Sequence, residues 1–292
     1  MRPANIVTAI SDVLAGVAIA YAMFIAFPVA PHLNWTGIIF LILSTSFLYG
    51  GGVVMNDVFD TDLDKLERPE RPIPSGLIKK SSASFFGISL IVLGVLCAIL
   101  VSPSLQSLSW VIAIIIGAAA LIYDKWAKHH AFFGPLTMGL CRGLNLLLGM
   151  SIITIAVHAF VYLALVPLLY IFAITMISRG EVHGGKRTTL YVAAALYLLV
   201  ILTILYISFT EDTLLFTLPF IVFFSLMIFL PLQKAIIKPE GPRIGKAVKA
   251  GVISLIIMNA SWAAAVDNLV LAAIIIALLP ISLLLARLFA VT

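Results

Sequence analysis

The sequence predicts an all-α protein, a polytopic transmembrane helical bundle of nine to ten spans, built as one domain over residues 1–292. Composition is the first observation: 62% of the residues are hydrophobic, 11% are charged, and mean hydropathy is +1.17. A water-soluble domain is roughly half apolar and about a quarter charged, so lipid must act as the solvent for much of this surface. The second is the shape of the apolar runs, which are continuous rather than alternating, as helices require and membrane barrels do not. The third is the placement of cations. Fifteen of the 18 Lys and Arg fall in four segments, 57–82, 124–132, 178–187 and 234–249. These features exclude an ordinary cytosolic enzyme, a disordered chain and a secreted disulfide scaffold.

Taken in order, the spans fall near 6–29, 36–56, 83–101, 108–123, 133–153, 159–177, 188–208, 213–233, 247–265 and 268–289. The first carries Asp12, is too long for the apolar region of a signal peptide and lacks a clear cleavage site, so it reads as a retained helix. The fourth is short. Only Asp267 and Asn268 part the last two, which leaves open nine spans with a broken final helix. Of the remaining cations, Arg2 and Arg287 lie near the termini and Arg142 lies inside span five. The loops near 31–35, 102–107, 154–158, 209–212 and 266–268 hold no Lys or Arg. Basic loops stay in the cytoplasm, which puts the N-terminus and the four basic segments on that side of a multi-pass protein, in the cell inner or plasma membrane if the source is bacterial. The net charge of +5 reads as orientation and as anionic ligands rather than as nucleic-acid binding. Cys97 and Cys141 sit in apolar runs and read as small hydrophobes.

The loop after span two carries the chemistry. Asn56, Asp60 and Asp64 are spaced i, i+4, i+8, so a helix would stack them on one face, with Asp57 beside them. Asp57, Asp60, Asp62 and Asp64 put four carboxylates at the end of an apolar helix, where they repel one another. A divalent cation relieves that repulsion. Mg²⁺ takes oxygen ligands and is held by one or two carboxylates together with substrate phosphates. Lys65, Arg68 and Arg71 follow at once. The two arginines each precede proline, which biases them towards extended backbone. Carboxylates for a metal beside guanidinium forks for phosphate oxygens suit a metal–diphosphate complex.

Inside span five, Arg142 must face the bundle interior and find a partner, because a charge costs roughly 2.5–3.5 kcal/mol at a helix centre on insertion scales. Asn145 lies one turn away on the same face. A structural pair with Asp12 and a cavity contact to substrate are both open. For Tyr123 an interfacial anchor is the competing role.

Asn56-Asp57-x-x-Asp60-x-x-x-Asp64 followed by Arg71-Pro-Ile-Pro-Ser-Gly resembles the first signature of the UbiA-type intramembrane prenyltransferases. The resemblance extends to Arg2-Pro3-x-Asn5, to Tyr123 and Lys128 after span four, and to Arg142-x-x-Asn145 in span five. It implies a bundle of about nine spans under a cytoplasmic cap, with a lateral opening for a lipid tail. It also implies Mg²⁺-dependent transfer of a prenyl group from an isoprenoid diphosphate to a hydrophobic acceptor in the lipid bilayer. By resemblance, Asp60, Asp64, Tyr123 and Lys128 are catalytic. Asn56, Lys65, Arg68, Arg71, Arg142, Asn145 and Arg179 bind substrate. Asn56, Asp60, Asp64 and Glu181 hold the metal. Lys125 is an alternative partner for Tyr123. The cavity wall is expected from spans one, two, five and six.

The family's second signature, D-x-x-D-x-x-G-D, corresponds here to Ser178-Arg179-Gly180-Glu181-Val182-His183-Gly184-Gly185. Ser178 and Gly185 replace aspartates, and Glu181 remains as the one carboxylate. His183 could add a ligand, Gly180, Gly184 and Gly185 could bring backbone N–H groups to phosphate, and Arg179, Lys186 and Arg187 could neutralise diphosphate directly. The alternative function is a non-catalytic isoprenoid or lipid carrier, or a transporter, that keeps only the first diphosphate site.

Overall fold

The computed structural model describes residues 3–22, 32–102, 107–181 and 184–288. Arg2, residues 23–29 of the first predicted span, residues 103–106 and His183 lie outside them. The described residues form α1 (Pro3–Ala22), α2 (Trp35–Phe59), the short α3 (Thr61–Glu67), α4 (Lys80–Leu100) and α5 (Ser109–Lys125). After a 3₁₀ turn at Ala127–His129 come α6 (Phe133–Met150), α7 (Thr154–Phe160) and α8 (Leu165–Ser178), the last two joined by a second 3₁₀ turn. The chain continues through α9 (Arg187–Thr210), α10 (Leu214–Ile237), α11 (Gly241–Ala265) and α12 (Leu269–Leu288). Each predicted span has its helix, with span six built from α7, the 3₁₀ turn and α8.

Eight of these units are long and apolar enough to cross a membrane on length and composition. The two that are not are α5, with 17 residues, and α6, which carries Arg142 and Asn145. Burial runs against hydropathy. The most buried spans, α1 and α11, each 83% buried, are the least hydropathic of the eight. They hold Thr8, Ser11, Asp12, Ser254, Asn259 and Ser261, all buried. In lipid, polar side chains belong where protein surrounds them, so the most polar helices take the centre. Helix α1 packs on α2, α6, α11 and α12, and α11 also meets α8, α9 and α10. Two glycines set the α1–α6 distance: a Cβ on Gly16 would lie 2.1 Å from the Leu146 carbonyl oxygen, and one on Gly149 would lie 2.0 Å from that of Val13.

The final hairpin makes α11 and α12 two separate helices. Asp267 takes φ 57°, its N–H donates to the Ala264 carbonyl (3.2 Å), and the Asn268 N–H donates to that of Ala263 (2.8 Å). This left-handed closure ends α11. Asn268 Oδ1 then accepts from the Leu271 N–H (3.2 Å), which starts α12, and α12 folds back on α11. Asp212, with φ 54°, closes α9 in the same way.

The four basic segments meet at one end of the bundle. Asn56 and Asp60 contact Asp124 and Lys128. Arg179 reaches the backbone at 128 and 130, and Arg187 donates to the Ile237 carbonyl (3.1 Å). At the other end, Thr213 Oγ1 donates to the Ala265 carbonyl (2.8 Å), and Ser151 bonds Ser109 (2.8 Å).

Candidate active site

The expected stack of Asn56, Asp60 and Asp64 is interrupted but not destroyed. Asp60 caps α2 at φ −82°, ψ 0°, and the Thr61 hydroxyl covers the Val58 carbonyl (2.7 Å), so α2 ends there and α3 begins. The backbone bonds Asp60 N–H to Asn56 O (2.9 Å) and Asp64 N–H to Asp60 O (2.8 Å) persist across the break. Each of the three side chains grips a different element. Asn56 Nδ2 donates to Asp124 Oδ1 on α5 (2.9 Å). Asp60 is ion-paired with Lys128 on the 3₁₀ turn. Asp64 Oδ2 accepts from Arg71 Nη1 in the following loop (2.7 Å), and the same nitrogen lies 3.5 Å from Asp57 Oδ1. Cations therefore separate carboxylates that would otherwise repel. Burial works against the Arg71 charge, but Asp64, through its hydrogen bond and charge, with Asp57 and Asp60, holds the guanidinium pKa above its ordinary value.

A cavity of about 290 Å³ opens beside this cluster, between α1, α2, α5 and α6. One end presents Asn56, Asp57, Tyr123 and Asp124; the other presents Thr45, Tyr49, Arg142 and Asn145; Leu48, Ile116 and Met138 lie along its wall. Thr45, Tyr49, Gly52 and Asn56 recur at helical spacing and give α2 its cavity face. The expected contribution of span six is corrected, since α8 lends none of the lining and α5 takes its place. The reason is the short α5: its small residues at 113 and 117–120 let its polar end reach α2.

Asp124 is the site residue that the sequence reading passed over. It lies just beyond the apolar stretch 108–123, and its side chain is buried against Asn56. Burial pushes its carboxyl up to about 7; the Asn56 hydrogen bond and Lys128 oppose the rise, and Asp60 and Asp57 add to it. The available signal was an acid directly after Tyr123 at the end of an apolar helix. Lys125 is settled as outward-facing, over the Trp126 ring at 4.6 Å, so Lys128 is the lysine brought to the acidic cluster.

At the inner end, Arg142 is at once a cavity wall and the partner of Asp12. Its Nη1 donates to Asp12 Oδ2 (2.8 Å) and its Nη2 to Thr8 Oγ1 (3.0 Å), and its guanidinium sits 5.8 Å from the Tyr49 ring centre. Asn145 donates to the Ala9 carbonyl (2.7 Å) and to Asp12 Oδ2 (3.3 Å), and accepts from Thr45 (2.7 Å).

Several expected roles are not matched by position. Lys65 pairs with Asp62 on the exposed side of α3 (3.0 Å), and Arg68 is exposed at the end of that helix. Arg68 is the residue that ends α3, with its backbone at φ −147°, ψ 61°, and Lys65 reaches along the helix surface to exposed Asp62. Arg179 donates to the carbonyls of Lys128 and His130, so it braces the turn that carries Lys128. Arg187 is likewise bonded to backbone. The glycines of the second segment serve close packing: the Gly185 N–H donates to the Pro239 carbonyl (3.1 Å), and Gly180 and Gly185 both pack on Ile244. Glu181 Oε2 lies beside Gly245 at the start of α11. Among the described residues, no three His, Cys, Asp or Glu side chains already form a metal cage. Of the expected metal set, Asn56, Asp60 and Asp64 lie at the junction of α2 and α3, and Glu181 follows α8 in the second segment.

The pattern of the UbiA prenyltransferase family matches residues 13–248. Relatives named digeranylgeranylglyceryl phosphate synthase include one from Methanococcoides burtonii, 33% identical over 160 residues (53% of this chain, 54% of that protein). Another, from Saccharolobus solfataricus, is 31% identical over 153 residues (52% of each). These matches span about half the length of those relatives. Among solved structures, one described for digeranylgeranylglyceryl phosphate synthase in membranes superposes with TM-score 0.66 at 21% identity, covering 90% of this chain and 95% of that one. The apo structure of a UbiA homologue from Aeropyrum pernix gives 0.69 at 14% identity, covering 89% and 97%. A match over most of the chain, on a bundle whose acidic helix end opens into an intramembrane cavity, makes this integral membrane protein a member of the UbiA prenyltransferase family.

Proposed function

We propose that the chain transfers a prenyl group from an isoprenoid diphosphate to a hydrophobic acceptor within the membrane, with the four basic segments and the N-terminus facing the cytoplasm. The observation that carries this reading is the juxtaposition of an acidic cluster, two cations and an apolar-walled cavity at one helix end. The relatives' name, digeranylgeranylglyceryl phosphate synthase, supports an isoprenoid donor and a glyceryl phosphate lipid among the candidate acceptors, and the residues below support the reaction.

The donor set suits Mg²⁺, which favours hard oxygen ligands. Asn56 offers an amide oxygen, and Asp57, Asp60 and Asp64 offer carboxylates within one helix end. Asn56, Asp60 and Asp64 would hold the metal, with Glu181 added from the second segment. A bound Mg²⁺ would supply charge neutralisation to a departing diphosphate. Arg71 and Lys128, paired here with Asp64 and Asp60, would contact the diphosphate oxygens when those carboxylates turn to the metal. Tyr123, in the cavity wall, would donate a hydrogen bond from its hydroxyl to the leaving oxygen. Leu48, Ile116 and Met138 exclude water from the prenyl carbon, so the acceptor competes without hydrolysis.

The test is purified protein with Mg²⁺, a panel of prenyl diphosphates and lipid extract as acceptor source. Diphosphate release with a prenylated lipid product is expected. Tight donor binding with no release across the panel would replace this reading with the carrier.

A further inference from the structure

The inner end of the cavity contains a cation whose charge is already consumed. Asp12 is wholly buried, and both of its oxygens are occupied: Oδ2 by Arg142 (2.8 Å) and Asn145 (3.3 Å), Oδ1 by Asn259 on α11 (2.7 Å). Asn259 also donates to Ser11 Oγ (2.8 Å), while its own Oδ1 is buried with no hydrogen-bond partner. A buried amide oxygen left unsatisfied costs free energy. The opposite amide orientation would set that oxygen against the Asp12 carboxylate. Asn259 thus holds the Asp12 carboxyl group in place. The carboxylate in turn holds the guanidinium that lines the cavity.

We propose that this end of the cavity accepts an uncharged hydrogen-bonding group of the acceptor, a hydroxyl, phenol or amide, and turns away a carboxylate; the inference rests on the prenyl-transfer reading. The Arg142 and Asp12 charges cancel at contact distance, so an entering anion would lose its hydration with no net positive charge to receive it, and would meet Asp12 behind the guanidinium. A neutral group meets none of that cost. Arg142 has five N–H donors, of which Asp12 and Thr8 take two. The Tyr49 ring, facing the guanidinium, forms the adjoining wall. Asp12 and Asn259 are positioning residues acting through Arg142.

The experiment measures binding of two isosteric probes, 4-pentylbenzamide and 4-pentylbenzoate, to the full chain in detergent by calorimetry, without donor. The wild type should bind the amide about tenfold or more tightly than the benzoate. Asp12→Asn uncovers the Arg142 charge and should move that ratio towards the benzoate by about tenfold. Asn259→Leu should move it the same way by less, because Arg142 and Asn145 still hold Asp12. Should Asp12→Asn not fold, the wild-type ratio and the Asn259→Leu variant decide. Preference of the wild type for benzoate, equal affinities, or no binding of either probe would overturn the proposal. A separate transfer assay on the same preparation keeps the two readings apart: absent transfer with a tenfold amide preference refutes the enzyme and leaves the neutral polar subsite standing.

Discussion

Arg142→Met breaks the most deeply buried ion pair in the described bundle. Asp12 has 0% side-chain exposure and Arg142 10%, and their contact is 2.8 Å. Truncating one partner of such a pair leaves a charge in a low-dielectric interior, at a cost of about 3–5 kcal/mol. Asn145 and Asn259 still donate to Asp12, which puts the expected loss at the lower end, about 3 kcal/mol. Asp12→Leu should cost a similar amount for the mirrored reason. The double variant Asp12→Leu/Arg142→Met removes both charges and should recover most of that loss, because apolar side chains replace a buried pair at little cost. Reversible unfolding in dodecyl sulfate, followed by circular dichroism, gives all three free energies and their coupling. Singles that each cost under about 1 kcal/mol, or a double equal to the sum of the singles, would refute the claim that the charges sustain each other.

The other expectations concern the basic end of the bundle. Asp60→Ala and Asp64→Ala should abolish Mg²⁺-dependent donor binding while the protein stays folded; normal donor affinity in either would remove it from the site. Arg71→Ala should weaken diphosphate binding by about tenfold to a hundredfold, a charge-assisted bond being worth roughly 1.5–3 kcal/mol, whereas Lys79→Ala should change it little; equal small effects would make Arg71 an orientation signal. Glu181→Gln should raise the Mg²⁺ concentration needed for donor binding, and an unchanged Mg²⁺ titration would take Glu181 out of the metal set. With Cys97 and Cys141 replaced, cysteines at Ser81 and Glu211 should label from opposite sides of the membrane, and labelling from one side would sink the topology.

What the sequence determined by itself follows from local rules. Ten apolar runs specify ten helical units because lipid admits no unpaired backbone, and the cations in alternate connections foretell which loops share an end. The spacing of Asn56, Asp60 and Asp64 foretells a cluster of polar groups at one helix end, and an arginine inside a span foretells a buried partner. Partner choice is not local. Only the tertiary structure decides that Lys128, and not Lys125, meets Asp60, because the 3₁₀ turn at 127–129 swings one lysine inward and leaves the other on Trp126. Likewise, Lys65 and Arg71 are both cations of one loop, yet the first pairs with exposed Asp62 inside α3 while the second, beyond the end of α3, folds back on buried Asp64. Asp124 and Asn259 look ordinary in the sequence, one at a helix end and one in an apolar run. Their importance comes from Asn56 and Asp12, which lie 68 and 247 positions away and meet them only when the helices pack. A side chain's chemistry in lipid is set by the groups that surround it, and those are fixed by helix packing rather than by neighbours along the chain.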